Sequence, residues 1–256
     1  MSTIQWQARL SVPWVETPPV HPPLRDFLTK IVIKRGRRIE ERGDLFFFPN
    51  QTCVPIVIMD SMGQRFERPD RAIFLIWHGA TLENLCAWIR EHLPAIESRV
   101  PLPPRIILMG GGNSLSSRYL PSNPSSARIA DRVTDEIHCL FQWCKDRNTR
   151  ITISSILPRP ADHDIKKSQL STNDRVTLCK AYVRVNDYIE DFNEAHNLPQ
   201  LPLHRMVSIC GKNRYYPRTK MEKIRLSCFF EEDWVHLSDK GTKNVNRALT
   251  RYLEKC

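Results

Sequence analysis

At 256 residues and a formal charge of +10, the chain has room for one sizeable α/β core and little for a second. It contains no apolar run of the roughly 18 residues that a membrane helix requires, and no apolar N-terminal signal region. The sequence therefore predicts neither a transmembrane segment nor a secretory leader.

In chain order, residues 1–50 read as an N-terminal extension, with Pro13, Pro18, Pro19, Pro22 and Pro23 followed by a basic stretch that ends in Leu45-Phe-Phe-Phe-Pro49. Prolines interrupt regular structure there, while Phe27–Ile33 could form a helical turn or a strand against the main domain. From residue 51 to 256 the pattern is that of one domain. Val54–Met59, Ala72–Ile76, Arg105–Met109 and Ile151–Ile156 are short apolar runs rich in β-branched residues, which predict buried strands. Between and after them, apolar residues recur at helical spacing. Leu82, Leu85, Cys86, Ile89 and Leu93 follow Thr81, a predicted N-cap; Ile129, Val133, Ile137, Leu140, Phe141 and Cys144 form a second face. Leu178, Tyr182, Val185, Ile189 and Phe192 form a third, with Asn173 or Asp174 placed to cap it, and a last helix starts near Ser238–Lys243. Strands alternating with helices predict a parallel sheet covered on both faces, with ligands at the carboxyl ends of its strands.

The loops at that edge carry chemistry. Ser61 follows the first strand in Met59-Asp-Ser-Met-Gly63, Gly79 follows the second in Trp77-His-Gly-Ala-Thr81, and Asn113 follows the third in Gly110-Gly-Gly-Asn-Ser114. Asp233-Trp-Val-His236 precedes the final helix. A serine needs a base to become a nucleophile, and a histidine oriented by a carboxylate is the usual one; backbone N–H groups and an Asn amide suit a developing oxyanion. Other uses stay open for each residue. Ser61 could cap a turn, His236 could be structural, Asp233 could act on the helix terminus with Glu231 or Glu232 as the relevant carboxylate, and Asn113 could shape its turn or help bind phosphate. The glycine loop lacks the Lys-Ser/Thr of a P-loop, which argues against nucleotide hydrolysis.

Taken in order, Asp-Ser, Gly, Gly-x-Asn and Asp-x-x-His resemble the blocks of the SGNH (GDSL-type) hydrolase family over roughly residues 54–254. The resemblance implies a three-layer, flavodoxin-like α/β fold with a central parallel sheet. It also implies ester hydrolysis or acyl transfer with Ser61 as nucleophile, His236 as base and Asp233 as its orienting partner. The Ser61 N–H, Gly79 and Asn113 would form the oxyanion hole, with no metal and no organic cofactor. Met59 stands where the family has glycine and could shift the Ser61 backbone; Ser114 stands where it has aspartate and can still hydrogen-bond locally. Only about ten residues separate Ser61 from the second strand, which predicts a compact version of the fold. Compact domains with segments like Ile156-Leu-Pro-Arg-Pro160 are similar to those of retrotransposon-encoded proteins, and Oskar-type germ-plasm proteins carry a degenerate SGNH-like domain that binds RNA.

Two further histidines fall near this edge: His78 beside Gly79, and His163 in the polar loop after the fourth strand, both candidate substrate contacts. The expected partners are an ester substrate and, as an alternative use of the fold, RNA or another polyanion. The polyanion would meet basic segments at Lys30–Arg42 and Arg205–Arg225, the second containing Tyr215 and Tyr216. A solvated basic face is the other reading of that charge. The eight cysteines are scattered without a CxxC, which predicts reduced thiols and an intracellular protein, cytoplasmic ahead of nuclear. His138, Cys139 and Cys144 share a predicted helix on which they would not converge on one ion.

Overall fold

The computed structural model describes residues 52–66, 72–98, 102–116, 125–159, 170–207, 228–233 and 235–255, together with the backbone of 7–8, 39–42 and 46–47. Its elements run β1 (Gln7–Ala8), β2 (Ile39–Arg42), β3 (Phe46–Phe47), β4 (Val54–Asp60), β5 (Ile73–Trp77), α1 (Leu82–Glu97), β6 (Pro104–Met109), α2 (Ser126–Asp146), β7 (Arg150–Ile153), α3 (Thr172–Ala195), the short α4 (Leu203–Met206) and α5 (Asp239–Leu253).

The main sheet has the order β2-β5-β4-β6-β7, with β5, β4, β6 and β7 mutually parallel and β2 antiparallel along β5. Counted along the chain, the four parallel strands lie in the order 2-1-3-4. That is the flavodoxin-like order, whose switch point falls between β4 and β6. Because side chains alternate across a strand, β4 feeds two cores. Val54, Ile56 and Ile58 pack with Leu85 and Ile89 of α1, Ile137 and Leu140 of α2, and Tyr182 and Val185 of α3. Val57 and Met59 point the other way, toward Leu203 of α4 and Val245, Leu249 and Tyr252 of α5. Helices thus cover both faces of a parallel sheet, as the apolar runs require. Among the described residues no helix is long and apolar enough to cross a membrane.

Caps set the helix starts at the site's edge. Thr81 Oγ1 accepts from the Asn84 N–H while Asn84 Oδ1 accepts from the Thr81 N–H, a reciprocal capping box that starts α1 immediately after the β5 loop. The cap of α3 is Ser171, whose Oγ accepts from the Asp174 N–H. The expectation of Asn173 or Asp174 is corrected by two to three residues, because Asp174 serves as the third residue of the first turn. The fourth strand also ends earlier than expected, at Ile153. The Ser155 N–H turns away to Leu201 O, and Asn186 takes both the N–H and the carbonyl of Ile156 with its side-chain amide. Backbone groups that would have continued a ladder are satisfied by a helix side chain instead.

Between β4 and β5 the chain forms a 3-10 turn at Ser61–Arg65, which fits the short spacing there. Part of the N-terminal extension joins the sheet, since β2 lies in register from Ile39 opposite Trp77 to Arg42 opposite Phe74, and β1 pairs with β3. Residues 27–33 lie outside the described residues.

Candidate active site

The carboxyl ends of β4, β5 and β6 lie side by side, and Asp60 ties the turn after β4 to the loop after β6. Asp60 is buried, and one carboxylate oxygen accepts the Met62 N–H at 3.0 Å across the Ser61 turn. It also accepts the N–H groups of Gly111 and Gly112 in the loop after β6. Burial pushes the Asp60 carboxyl above the usual range, opposed by those N–H groups and by the nearby Arg159 guanidinium. The serine turn and the glycine loop therefore share one internal anchor.

Glycine is required in that loop. Gly111 has φ +109°, in the left-handed region, and a Cβ there would meet Ile156 Cδ1 at 2.7 Å. Gly79, at φ +70°, lets the chain turn sharply between Trp77 and Ala80, and it is exposed to the front of the site.

Asn113 bridges three loops. Its Nδ2 donates to Ala80 O at 2.8 Å, and its Oδ1 accepts from Arg159 Nη1. Its backbone carbonyl accepts from the N–H and hydroxyl of Ser116, so the residue both shapes its turn and holds a side-chain amide at the edge. Ser114, the residue after Asn113, is buried. Its Oγ accepts the Leu82 N–H at 2.8 Å and donates to Glu83 Oε2 at 2.7 Å, while Arg132 binds both Glu83 and the Ser114 carbonyl. A serine–glutamate pair thus satisfies the first turn of α1.

Met59 is fully buried beneath the Ser61 turn. A Cβ on Gly63 would lie 1.7 Å from Met59 Sδ, so Gly63 leaves the room that Met59 occupies. An apolar cavity under the turn is lined by Met59, Met62, Phe66, Met109, Leu157 and Leu203, with Asp60 and Ser155 on its polar side.

The Asp233–His236 pair is built by the loop before α5. Phe230 and Leu237 form an antiparallel bridge, the Glu231 N–H bonds His236 O, and the Ser238 N–H bonds Phe229 O. Within that loop, Asp233 Oδ1 accepts the N–H groups of Val235 and His236 at 2.8 and 2.9 Å, and Oδ2 meets His236 Nδ1 at 2.5 Å. Partial burial raises the Asp233 pKa, but these backbone and ring donors outweigh it and hold the carboxylate below its ordinary value. Ser238, and not Asp233, caps α5, through its Oγ to the Gly241 N–H. A Cβ on Gly241 would approach Phe229 O to 2.2 Å, so only glycine lets the helix sit this close to the loop.

No family model matches this sequence, and no curated protein matches it. Solved structures do. A GDSL-like lipase from Bacteroides thetaiotaomicron superposes with a TM-score of 0.55 at 15% identity, covering 78% of this chain and 88% of the lipase. A candidate acylhydrolase from Bacteroides fragilis gives 0.53 at 13% identity, over 81% of this chain and 88% of the other. A candidate lipolytic protein of the G-D-S-L family from Desulfitobacterium hafniense gives 0.50 at 12% identity, over 78% and 99%. This is the SGNH-hydrolase fold.

On that SGNH scaffold, Ser61 is partly exposed at the start of its turn, Gly79 and Asn113 lie on the neighbouring loops, and Asp233 and His236 are joined. No hydrogen bond links Ser61 Oγ to His236 Nε2 among the described residues. His78 is half-buried beside Gly79. His163 and nearly all of the two basic segments lie outside the described residues, apart from the backbone of 39–42 and residues 205–207.

Among the described residues, one group of metal-ligand atoms lies within 4.8 Å of one another: Glu231, Asp233 and His236. Both Asp233 oxygens there already accept hydrogen bonds, so the donor set is largely engaged. On α2, Cys144 is buried while His138 and Cys139 are exposed, so those three do not converge.

Two residues at the edge have roles that sequence reasoning left unassigned. Asp60 was visible only as the neighbour of Ser61. Arg159 lay in the Ile156–Pro160 segment, and its partner Asn113 is 46 positions away, a contact that no local pattern encodes.

Proposed function

We propose that the protein is an SGNH-type serine esterase or acyl hydrolase in which Ser61 attacks the ester carbonyl carbon. The observation that supports this best is the Asp233 clasp on His236. With Asp233 Oδ2 on Nδ1, the ring carries its proton there and leaves Nε2 as the basic nitrogen. His236 Nε2 takes the Ser61 hydroxyl proton as the carbon–oxygen bond forms, then delivers it to the departing alcohol. Water, deprotonated by the same nitrogen, next attacks the acyl-serine; the acyl–Oγ bond breaks, the proton returns from Nε2 to Ser61 Oγ and the acid is released. The oxyanion is held by the N–H groups of Ser61 and Gly79 and by Asn113 Nδ2, which has a second N–H beyond the one given to Ala80 O. The reading requires His236 Nε2 to reach Ser61 Oγ in the substrate complex; catalytic hydrogen bonds are often long in the free enzyme.

Wild-type protein is expected to hydrolyse a short-chain aryl ester, and Ser61→Ala to abolish that turnover with the thermal midpoint preserved. Undiminished turnover in Ser61→Ala would remove the reading.

The formal charge of +10 favours a second use, contact with RNA or another polyanion. Binding of single-stranded RNA should weaken steeply with salt and survive Ser61→Ala. No binding at low salt would remove it.

A further inference from the structure

An Asn side chain has a donor end and an acceptor end of the same shape, so its partners decide which end faces the site. At Asn113 both partners are one-way. Ala80 O can only accept and therefore draws Nδ2; the Arg159 guanidinium can only donate and therefore draws Oδ1. A flipped amide would set two oxygens face to face and two donors face to face. The guanidinium does more than hold the orientation. Its hydrogen bond to Oδ1 is charge-assisted and withdraws electron density through the amide, which strengthens the Nδ2–H groups as donors. Its place is secured: the stem passes over Gly112, where a Cβ would stand 3.6 Å from Arg159 Cδ, and its charge interacts with the buried Asp60. Arg159 thus links the loop after β7 to the serine turn and to the glycine loop.

We propose that Arg159 is a positioning residue of the oxyanion hole, locking and polarising the Asn113 amide toward the developing oxyanion. The proposal rests on the esterase reading above. It assigns Arg159 no direct contact with the reacting atoms, so its contribution passes through Asn113 alone.

The test is a double-mutant cycle on wild type, Arg159→Met, Asn113→Ala and the double variant. It reads kcat and KM for a short-chain aryl ester and the rate at which a fluorophosphonate labels the serine. Asn113→Ala is expected to lower kcat by about 100-fold, as loss of one oxyanion donor does. Arg159→Met should lower kcat and the labelling rate by about 10-fold with KM unchanged, a loss of about 1.4 kcal/mol confined to the transition state. In the Asn113→Ala background it should cost nothing further, and Arg159→Lys, which keeps a charged donor, should recover part of the rate. Equal slowing in both backgrounds, or a change in KM alone, overturns the role of Arg159 and leaves the esterase reading intact. A wild type that neither turns over nor is labelled overturns both. If Arg159→Met does not fold, the same cycle is run with Arg159→Lys, for which a rate loss of the same size with and without Asn113 is the overturning result.

Discussion

The two halves of the site are held in different ways. The half around the Ser61 turn and the glycine loop belongs to the interior: Asp60 is buried under the serine turn and collects N–H groups from Met62, Gly111 and Gly112, while Ser114 satisfies the start of α1. The half that carries Asp233 and His236 is a surface loop, with their side chains 45% and 39% exposed and fixed mainly by hydrogen bonds within residues 228–238. Changes in the first half should therefore act on the fold as well as on the chemistry, and changes in the second chiefly on the chemistry.

The sharpest test of that contrast is His236→Ala. It should lower kcat by about 10⁴-fold, the scale of losing a triad member, with the urea midpoint unmoved. Asp60→Ala should do the opposite and show first in stability. Removing a buried acceptor of several N–H groups is expected to cost about 3 kcal/mol in urea unfolding. If the two variants lose stability equally, the contrast is wrong.

Gly241→Ala tests the one place where the surface loop leans on the helix behind it. A Cβ there would meet Phe229 O at 2.2 Å, so either loop or helix must move. The expected result is about 1–3 kcal/mol of lost stability together with a fall in kcat, because the same loop carries His236. Gly63→Ala should show a related clash that Met59→Ala relieves, since the crowding atom is Met59 Sδ.

The smallest effect is a pH dependence of opposite sign in the two halves. Asp233 is held below its ordinary 3.8, so its contribution is fully present above that value and is lost as pH falls through the lower folded value. The stability difference between wild type and Asp233→Ala should therefore shrink below pH 3.8. Asp60 is raised above 3.8 by burial, so its contribution is greatest below 3.8 and declines as pH rises through the folded value. Urea melts of the two variants from acid to neutral pH should show these trends diverging; parallel trends would contradict the assignments.

Much of the framework was legible because it is written locally. Apolar runs marked β4, β5 and β6, helical spacing marked α1, α2 and α3, and Thr81 marked a cap. The misses have physical causes. Ser171-Thr-Asn-Asp174 offers several cap-type residues in a row, and only the backbone shows which carbonyl begins the helix. Ile151–Ile156 looks continuous, but Asn186 diverts its end. The edge strand β2, Ile39-Glu-Glu-Arg42, has no apolar run because the backbone supplies its pairing. The site blocks were readable as an ordered set, whereas the Arg159–Asn113, Ser114–Glu83 and Met59–Gly63 contacts join residues that only the folded chain brings together.

The central claim is that Ser61 is an activated nucleophile. Wild-type protein treated with a fluorophosphonate, digested and analysed by mass spectrometry should carry the phosphonyl group on Ser61, with labelling lost in His236→Ala. A label on another serine, or labelling of Ser61 that is as fast in His236→Ala as in wild type, would contradict it.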